Sequence, residues 1–304
     1  MSWREAFERA SALLDEIDPE RKLRLPPEGL ARLEPLEEEI KERMVSEVAG
    51  GRVGEARAWT SALESSMERA KEALGVGEVL LSKEMGSFSR DPEAHLRKKL
   101  LNYVHDLLRG ILSPEEFERK ARAAIVTSIR TNMRSIYQSW VFLEVLAGLA
   151  ERGYLLTYPE MRYLSLERGR AQRAGRIPPN AVLSGPRGSI SFFLEAPRPL
   201  GWGDGRDLAS IWPLYTALRP DVMAYGGRVL NIVRLGGDPP ILRPDVILEC
   251  KELEDWYARV RDVRWKLARP MSVDEWKGAW LEGLWDGLAG ILGVSRGEAA
   301  TRVR

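Results

Sequence analysis

The hydrophobic period of the chain first changes near Gly153, and that change limits the fold more than any other feature of the sequence. Before it, apolar residues recur every three or four positions, as in Trp3, Phe7, Ala10 and Leu14, the spacing of one helical face. After it come short apolar runs bounded by Gly and Pro, the pattern of strands. The fold class implied is α/β, with a helical part followed by a sheet-bearing part.

The periodicity predicts a helical domain over residues 1–126, with breaks at Leu25-Pro26-Pro27, Gly50-Gly51 and Gly75-Val76-Gly77. Ser113-Pro114-Glu115-Glu116 is a helix start: a Ser cap, Pro at the first helical position and acids in the first turn. A long helix is expected from Thr127 to Gly153, with Ile129, Met133, Ile136, Trp140 and Ala147 along one stripe. Glu144 falls in that stripe, four residues after Trp140, and a carboxylate there needs a partner, a proton or a metal.

Strands are expected at Arg162–Leu166, Ser189–Glu195, Val222–Tyr225, Arg228–Leu235 and Ile241–Cys250, in meander order. Gly226-Gly227 reads as a hairpin turn. Helix returns at Leu253–Leu267 and Val273–Leu292, where Trp276, Trp280, Leu284 and Leu288 repeat on a packing face. Domains of 1–126, 127–270 and 271–304 follow from this punctuation.

Composition excludes more than it assigns. Lys and Arg number 46 against 45 Asp and Glu, a formal net charge of +1, so no global positive field marks a nucleic-acid binder and any basic surface is local. The single Cys250 excludes an internal disulfide and points to a reducing compartment, and two histidines make a His-based zinc site or a Ser-His-Asp triad a poor expectation. The N-terminal residues lack an apolar signal core, and the most apolar helical stretch is interrupted by Glu282 and Asp286, so a cytoplasmic protein without a membrane span is expected. Arg in excess over Lys, with Asn and Gln scarce, suits a thermophile or a GC-rich genome.

The chemistry is concentrated near residue 250. Arg-Pro-Asp-Val occurs twice, at Arg219–Val222 and Arg243–Val246, and the second copy runs into Ile247-Leu248-Glu249-Cys250-Lys251. On a strand Glu249 and Lys251 share a face, about 6.6 Å apart along the backbone, which sets an oxygen ligand beside an ammonium. Phosphodiester cleavage needs both: carboxylates to hold Mg²⁺ and a cation to meet the charge that builds on phosphorus. Val246-Ile247-Leu248 reads as a central strand buried on both faces. Glu-x-Lys also occurs at 20–22, 39–41, 118–120 and 275–277, but in helical contexts, where positions i and i+2 do not share a face.

Helix with Glu, strand, strand opening on Pro-Asp, strand closing on Glu-x-Lys, then helix: this order resembles the PD-(D/E)XK, or restriction-endonuclease-like, nuclease superfamily. The resemblance covers about Thr127 to Leu267 and rests on Glu144, Pro220-Asp221 or Pro244-Asp245, and Glu249-Cys250-Lys251. It implies a restriction-endonuclease-like domain with a small central mixed sheet flanked by helices. It also implies a Mg²⁺- or Mn²⁺-dependent nuclease acting on DNA, with Asp221, Glu249 and Glu144 at the metal and Lys251 positioning water or stabilising charge. The rival expectations are a catalytically inactive module of that fold binding nucleic acid or protein, and a helical scaffold in which Glu-x-Lys is accidental.

Spacing separates the two Pro-Asp copies. Asp245 lies four residues from Glu249 on one strand, about 13 Å, too far to share an ion with ligand distances near 2 Å. Asp221, on a different strand, can approach it, while Asp245 is expected to cap backbone N–H groups. Arg228–Leu235 is the obstacle, because a strand there would separate the two. Arg168, Arg170, Arg173 and Arg176 form a basic loop that could contact phosphates or simply be solvated. Glu195, at the end of its strand, is a solvated charge or a further acid near the metal; DNA is the expected partner, and a homodimer is admitted.

Overall fold

The computed structural model describes residues 2–160, 163–167, 175–196, 219–234, 236–237, 241–248, 250 and 295. Two compact units emerge, one of residues Met1–Ser65 with Ser82–Tyr137, the other of Ser66–Leu81 with Gln138–Arg304. Helices α1 (Trp3–Ile17), α2 (Pro27–Leu74), α3 (Lys83–Arg90), α4 (Pro92–Lys99), α5 (Leu101–Leu108) and α6 (Pro114–Ala150) account for the N-terminal half, with one short strand, β1 (Glu78–Leu80), among them. No described helix is long and apolar enough to cross a membrane.

Local chemistry sets the helix ends. Pro27 opens α2, and Gly75, at φ +68°, follows its last residue, where a left-handed conformation ends a helix at least cost. Ser113 and Glu116 cap α6 reciprocally: Glu116 N–H donates to Ser113 Oγ at 3.2 Å, and Ser113 N–H donates to Glu116 Oε2 at 3.1 Å. The expected break at Gly50-Gly51 does not occur, because α2 runs on through it. Each glycine costs a helix about 1 kcal/mol, and burial of Ala49, Val53, Ala56 and Leu63 on either side outweighs that. Nor is there a break near residue 126, since α6 is one helix of 37 residues.

The core of the helical unit joins Trp3, Leu14, Ile40, Met44, Leu100, Phe117 and Ile125, all at most 1% exposed. Each such side chain contributes roughly 1.5–3 kcal/mol on leaving water. Trp3 and Phe117 meet with ring centroids 4.9 Å apart.

In the other unit, β2 (Leu155–Tyr158), β4 (Ala181–Gly185), β5 (Gly188–Leu194), β6 (Val222–Gly226) and β7 (Val246–Leu248) form a five-stranded sheet in the order β2-β4-β5-β6-β7. Every neighbouring pair in it is antiparallel. The expected mixed sheet is therefore not found among the described residues: their one parallel pairing, β1 with β3 (Tyr163–Ser165), is a separate two-stranded sheet. Phe142 of α6 packs against Phe192 of β5 at 6.1 Å between centroids, and Phe193 against Tyr225 at 5.1 Å.

Two strand expectations are corrected. The described residues 228–234 of the expected strand Arg228–Leu235 form no strand; they hold only one isolated bridge, Val233 with Ile241, and β6 and β7 pair directly. β7 is not a central strand buried on both faces, for it is the outermost of the described sheet, with Val246 50% and Ile247 39% exposed. A three-residue apolar run has no alternation to report which face is covered.

Candidate functional site

The strand register builds the site. Leu194 pairs with Val222, and Val222 pairs with Leu248, so the ends of β5, the start of β6 and the end of β7 lie side by side. Asp221 directly precedes Val222. Its backbone carbonyl accepts the Glu195 N–H at 3.0 Å, which carries the β5–β6 ladder one step past the strands. Glu195 sits there at φ +41°, in the left-handed region uncommon for a residue with a side chain, and Arg219 Nη1 donates to the Glu195 carbonyl at 2.8 Å.

The Asp221 side chain is 1% exposed. Its Oδ2 accepts the Cys250 N–H at 2.5 Å, and its Oδ1 accepts the Nε2 of Gln138, a residue of α6 that is itself 7% exposed. Burial makes the bonds matter: an acid at this depth is held only where donors replace lost water.

The acid expected from α6 goes elsewhere. Glu144 accepts from Ser66 Oγ at 2.8 Å and pairs with Arg69, both on α2. Arg69 also meets Glu151 at 2.7 Å, so one guanidinium joins two carboxylates, and these two acids raise its pKa. Glu144 lies six residues beyond Gln138, about 9 Å along the axis and roughly 120° around it. One helix position therefore cannot serve for the other, and the residue that reaches Asp221 is Gln138. Its sequence signal is a neutral polar residue four positions before the buried Phe142.

Asp245 is engaged with backbone: its Oδ2 accepts the Gly226 N–H at 2.7 Å, and its own N–H donates to the Ala224 carbonyl at 3.0 Å. Tyr225, between Ala224 and Gly226 in sequence, has its pKa pushed up by burial and by the Asp245 charge, and its hydroxyl donates to the Leu242 carbonyl at 3.0 Å. Cys250 is 5% exposed, the small buried residue expected of it.

Of the remaining candidates, Glu249 and Lys251 lie outside the described residues, as do Arg168, Arg170 and Arg173; Arg176 is described and exposed. The C-terminal helices and their tryptophans also lie outside. Among the described residues no group of three or more His, Cys, Asp or Glu side chains is arranged to hold a metal. Comparison with known proteins returned no matching family model, no matching curated protein and no matching solved structure.

Proposed function

We propose that the chain is a metal-dependent deoxyribonuclease that hydrolyses phosphodiester bonds, with its sheet-bearing unit a restriction-endonuclease-like domain. One observation carries the reading: β6 and β7 pair antiparallel with Val222 opposite Leu248, and the Asp221 carboxylate takes the Cys250 N–H at 2.5 Å. Pro220-Asp221 leads into the first of these strands, and Glu249-Cys250-Lys251 leaves the second. Asp221 and Cys250 thus meet at adjacent strand ends, and the described part of the segment between them does not intervene as a strand.

The donor set fits a hard cation. Mg²⁺ is commonly held by one or two carboxylates together with water and substrate phosphate, and Asp221 with Glu249 supplies two. Glu144, already paired with Arg69, is not in this set. A bound Mg²⁺ or Mn²⁺ supplies Lewis acidity and a water of lowered pKa. The chain's own part is narrower. Gln138 and the Cys250 N–H fix the orientation of the Asp221 carboxylate, and Lys251 brings a positive charge to the phosphate as negative charge builds there.

A second reading, a catalytically silent module of the same fold, draws on the same contacts, because a carboxylate that anchors Gln138 and Cys250 also has a purely structural use. Cleavage separates the two. Purified chain should nick supercoiled DNA with Mg²⁺ or Mn²⁺ and not with EDTA, and Lys251→Ala should abolish nicking with little change in DNA affinity. No metal-dependent nicking in the wild type, or undiminished nicking in Lys251→Ala, overturns the nuclease assignment.

A further inference from the structure

The helical unit holds a groove of its own. Lys99 at the end of α4, Tyr103 on α5, and Arg119, Lys120, Thr127 and Thr131 on α6 border a cavity of about 520 Å³. Positions 120, 124, 127 and 131 recur at three- and four-residue steps, which puts them on one face of α6. Ala123 and Ala124 line the same groove, so no bulky side chain fills the space between the cations and the hydroxyls.

Glu84, the acid at its edge, is committed. It meets Lys99 Nζ at 2.6 Å and His95 Nε2 at 3.1 Å. The acids that begin α6 are engaged as well, Glu115 and Glu118 by Arg4 at 3.3 and 2.7 Å. Arg119 and Lys120 have no acidic partner among the described residues. The sequence reinforces the asymmetry. From Arg119 to Leu143 the chain carries Arg119, Lys120, Arg122, Arg130 and Arg134 and no Asp or Glu, in a protein whose charges otherwise nearly cancel.

Arg122 pairs with Glu47 and Glu118, but Arg119 and Lys120, with the hydroxyls of Thr127 and Thr131 and a floor of small side chains, suit phosphate oxygens. The polar groups of the groove are strung out along α6 rather than convergent: Arg119 to Thr131 covers about 18 Å of helix at 1.5 Å per residue. A nucleic-acid strand carries one charge per roughly 3.4 Å of axis, so such a row matches a backbone better than a single phosphate group. Tyr103 is the groove's one aromatic side chain among the described residues, too little to sandwich a base. We infer that this groove binds the phosphodiester backbone of DNA without regard to sequence; the choice of DNA among polyanions rests on the nuclease reading.

The test is equilibrium binding of the full-length chain to a fluorescent random-sequence duplex, in EDTA, across a salt series, with nicking by the same preparations measured separately in Mg²⁺. Arg119→Gln/Lys120→Gln should lower the slope of log K against log salt by about 1.8, at roughly 0.9 for each phosphate no longer neutralised, and weaken binding at 0.1 M salt by on the order of tenfold or more. The control Arg24→Gln/Arg52→Gln removes the same charge from exposed positions outside the groove and should leave the slope near the wild-type value. Thermal melts of both variants establish that they fold. Equal slopes in the two variants, absence of DNA binding by the wild type, or competition by a nucleoside triphosphate at concentrations no higher than those of duplex phosphate would each overturn the inference. Groove-dependent binding without nicking would sink the nuclease reading alone, whereas Mg²⁺-dependent nicking with an unchanged slope in Arg119→Gln/Lys120→Gln would sink the groove alone.

Discussion

Removing the Asp221 carboxylate should destabilise the sheet-bearing unit whether or not a metal ever binds there. Asp221 is 1% exposed and accepts from two donors, the Gln138 amide and the Cys250 N–H. Asp221→Ala leaves both donors buried without their acceptor, at about 1–3 kcal/mol each, so a loss of roughly 2–6 kcal/mol is expected. Asp221→Asn differs in kind. Its remaining oxygen can keep the Cys250 N–H, and the Gln138 amide, turned by half a rotation, offers its own oxygen to the new Nδ2. The loss is then confined to the charge assistance of the original bonds, about 1 kcal/mol. Urea unfolding reads the difference as a shift in midpoint at constant m. Equal losses for the Ala and Asn variants, or a loss below about 1 kcal/mol for Asp221→Ala, would refute this bonding scheme. If the wild type nicks DNA in Mg²⁺ as proposed, loss of nicking in Asp221→Asn, which should retain the fold, would report on chemistry.

Two further outcomes are expected. A Cβ at Gly185 would stand 2.6 Å from the Tyr154 ring, so Gly185→Ala should cost about 1–3 kcal/mol through displacement of that ring; an unchanged melting temperature would show that the ring moves aside freely. His95 is held below its ordinary value of 6.5, chiefly by burial and also by the Lys99 and Lys98 charges, with Glu84 opposing. The unfolded chain therefore takes up the proton first: the stabilisation is complete above about pH 6.5 and falls away as pH drops towards the folded-state value. Melting temperatures taken between about pH 5 and pH 7.5 should decline on acidification in the wild type and do so less steeply in His95→Gln; parallel profiles for the two proteins would remove His95 as the cause.

Elements governed by short-range chemistry are legible in the sequence. Ser113-Pro114 opens α6 and Gly75 closes α2 where local rules put them, because capping and left-handed glycine act within four residues. SISFFL and the Val222 strand are readable as apolar runs ending in turns. What escapes depends on distant partners. β4 follows two prolines and ends in Ser-Gly, so it reads as loop, yet its ladder to β5 runs from Ala181–Phe192 to Gly185–Gly188. Gly50-Gly51 reads as a break because the side chains that bury its neighbours lie on other helices. At the site, strand spacing favours Asp221 over Asp245, and Asp245 does bond the Gly226 N–H. Gln138 gives only a faint signal for the opposite reason: a neutral amide announces no charge, and only the tertiary fold shows which acid it meets.

The pairing of β1 with β3 has a consequence for how the chain folds. Glu78 aligns with Tyr163, 85 positions later, across the whole of α3 to α6. Closing a flexible loop of that length costs on the order of 4 kcal/mol from the (3/2)RT ln n rule, and three residue pairs of ladder offer little in return. Such a contact forms only once the intervening helices have shortened the distance the chain must bridge. Residues 78–80 should accordingly join the native structure late and exchange their amide hydrogens early, a kinetic weak point in a strand whose middle residue, Val79, is only 7% exposed.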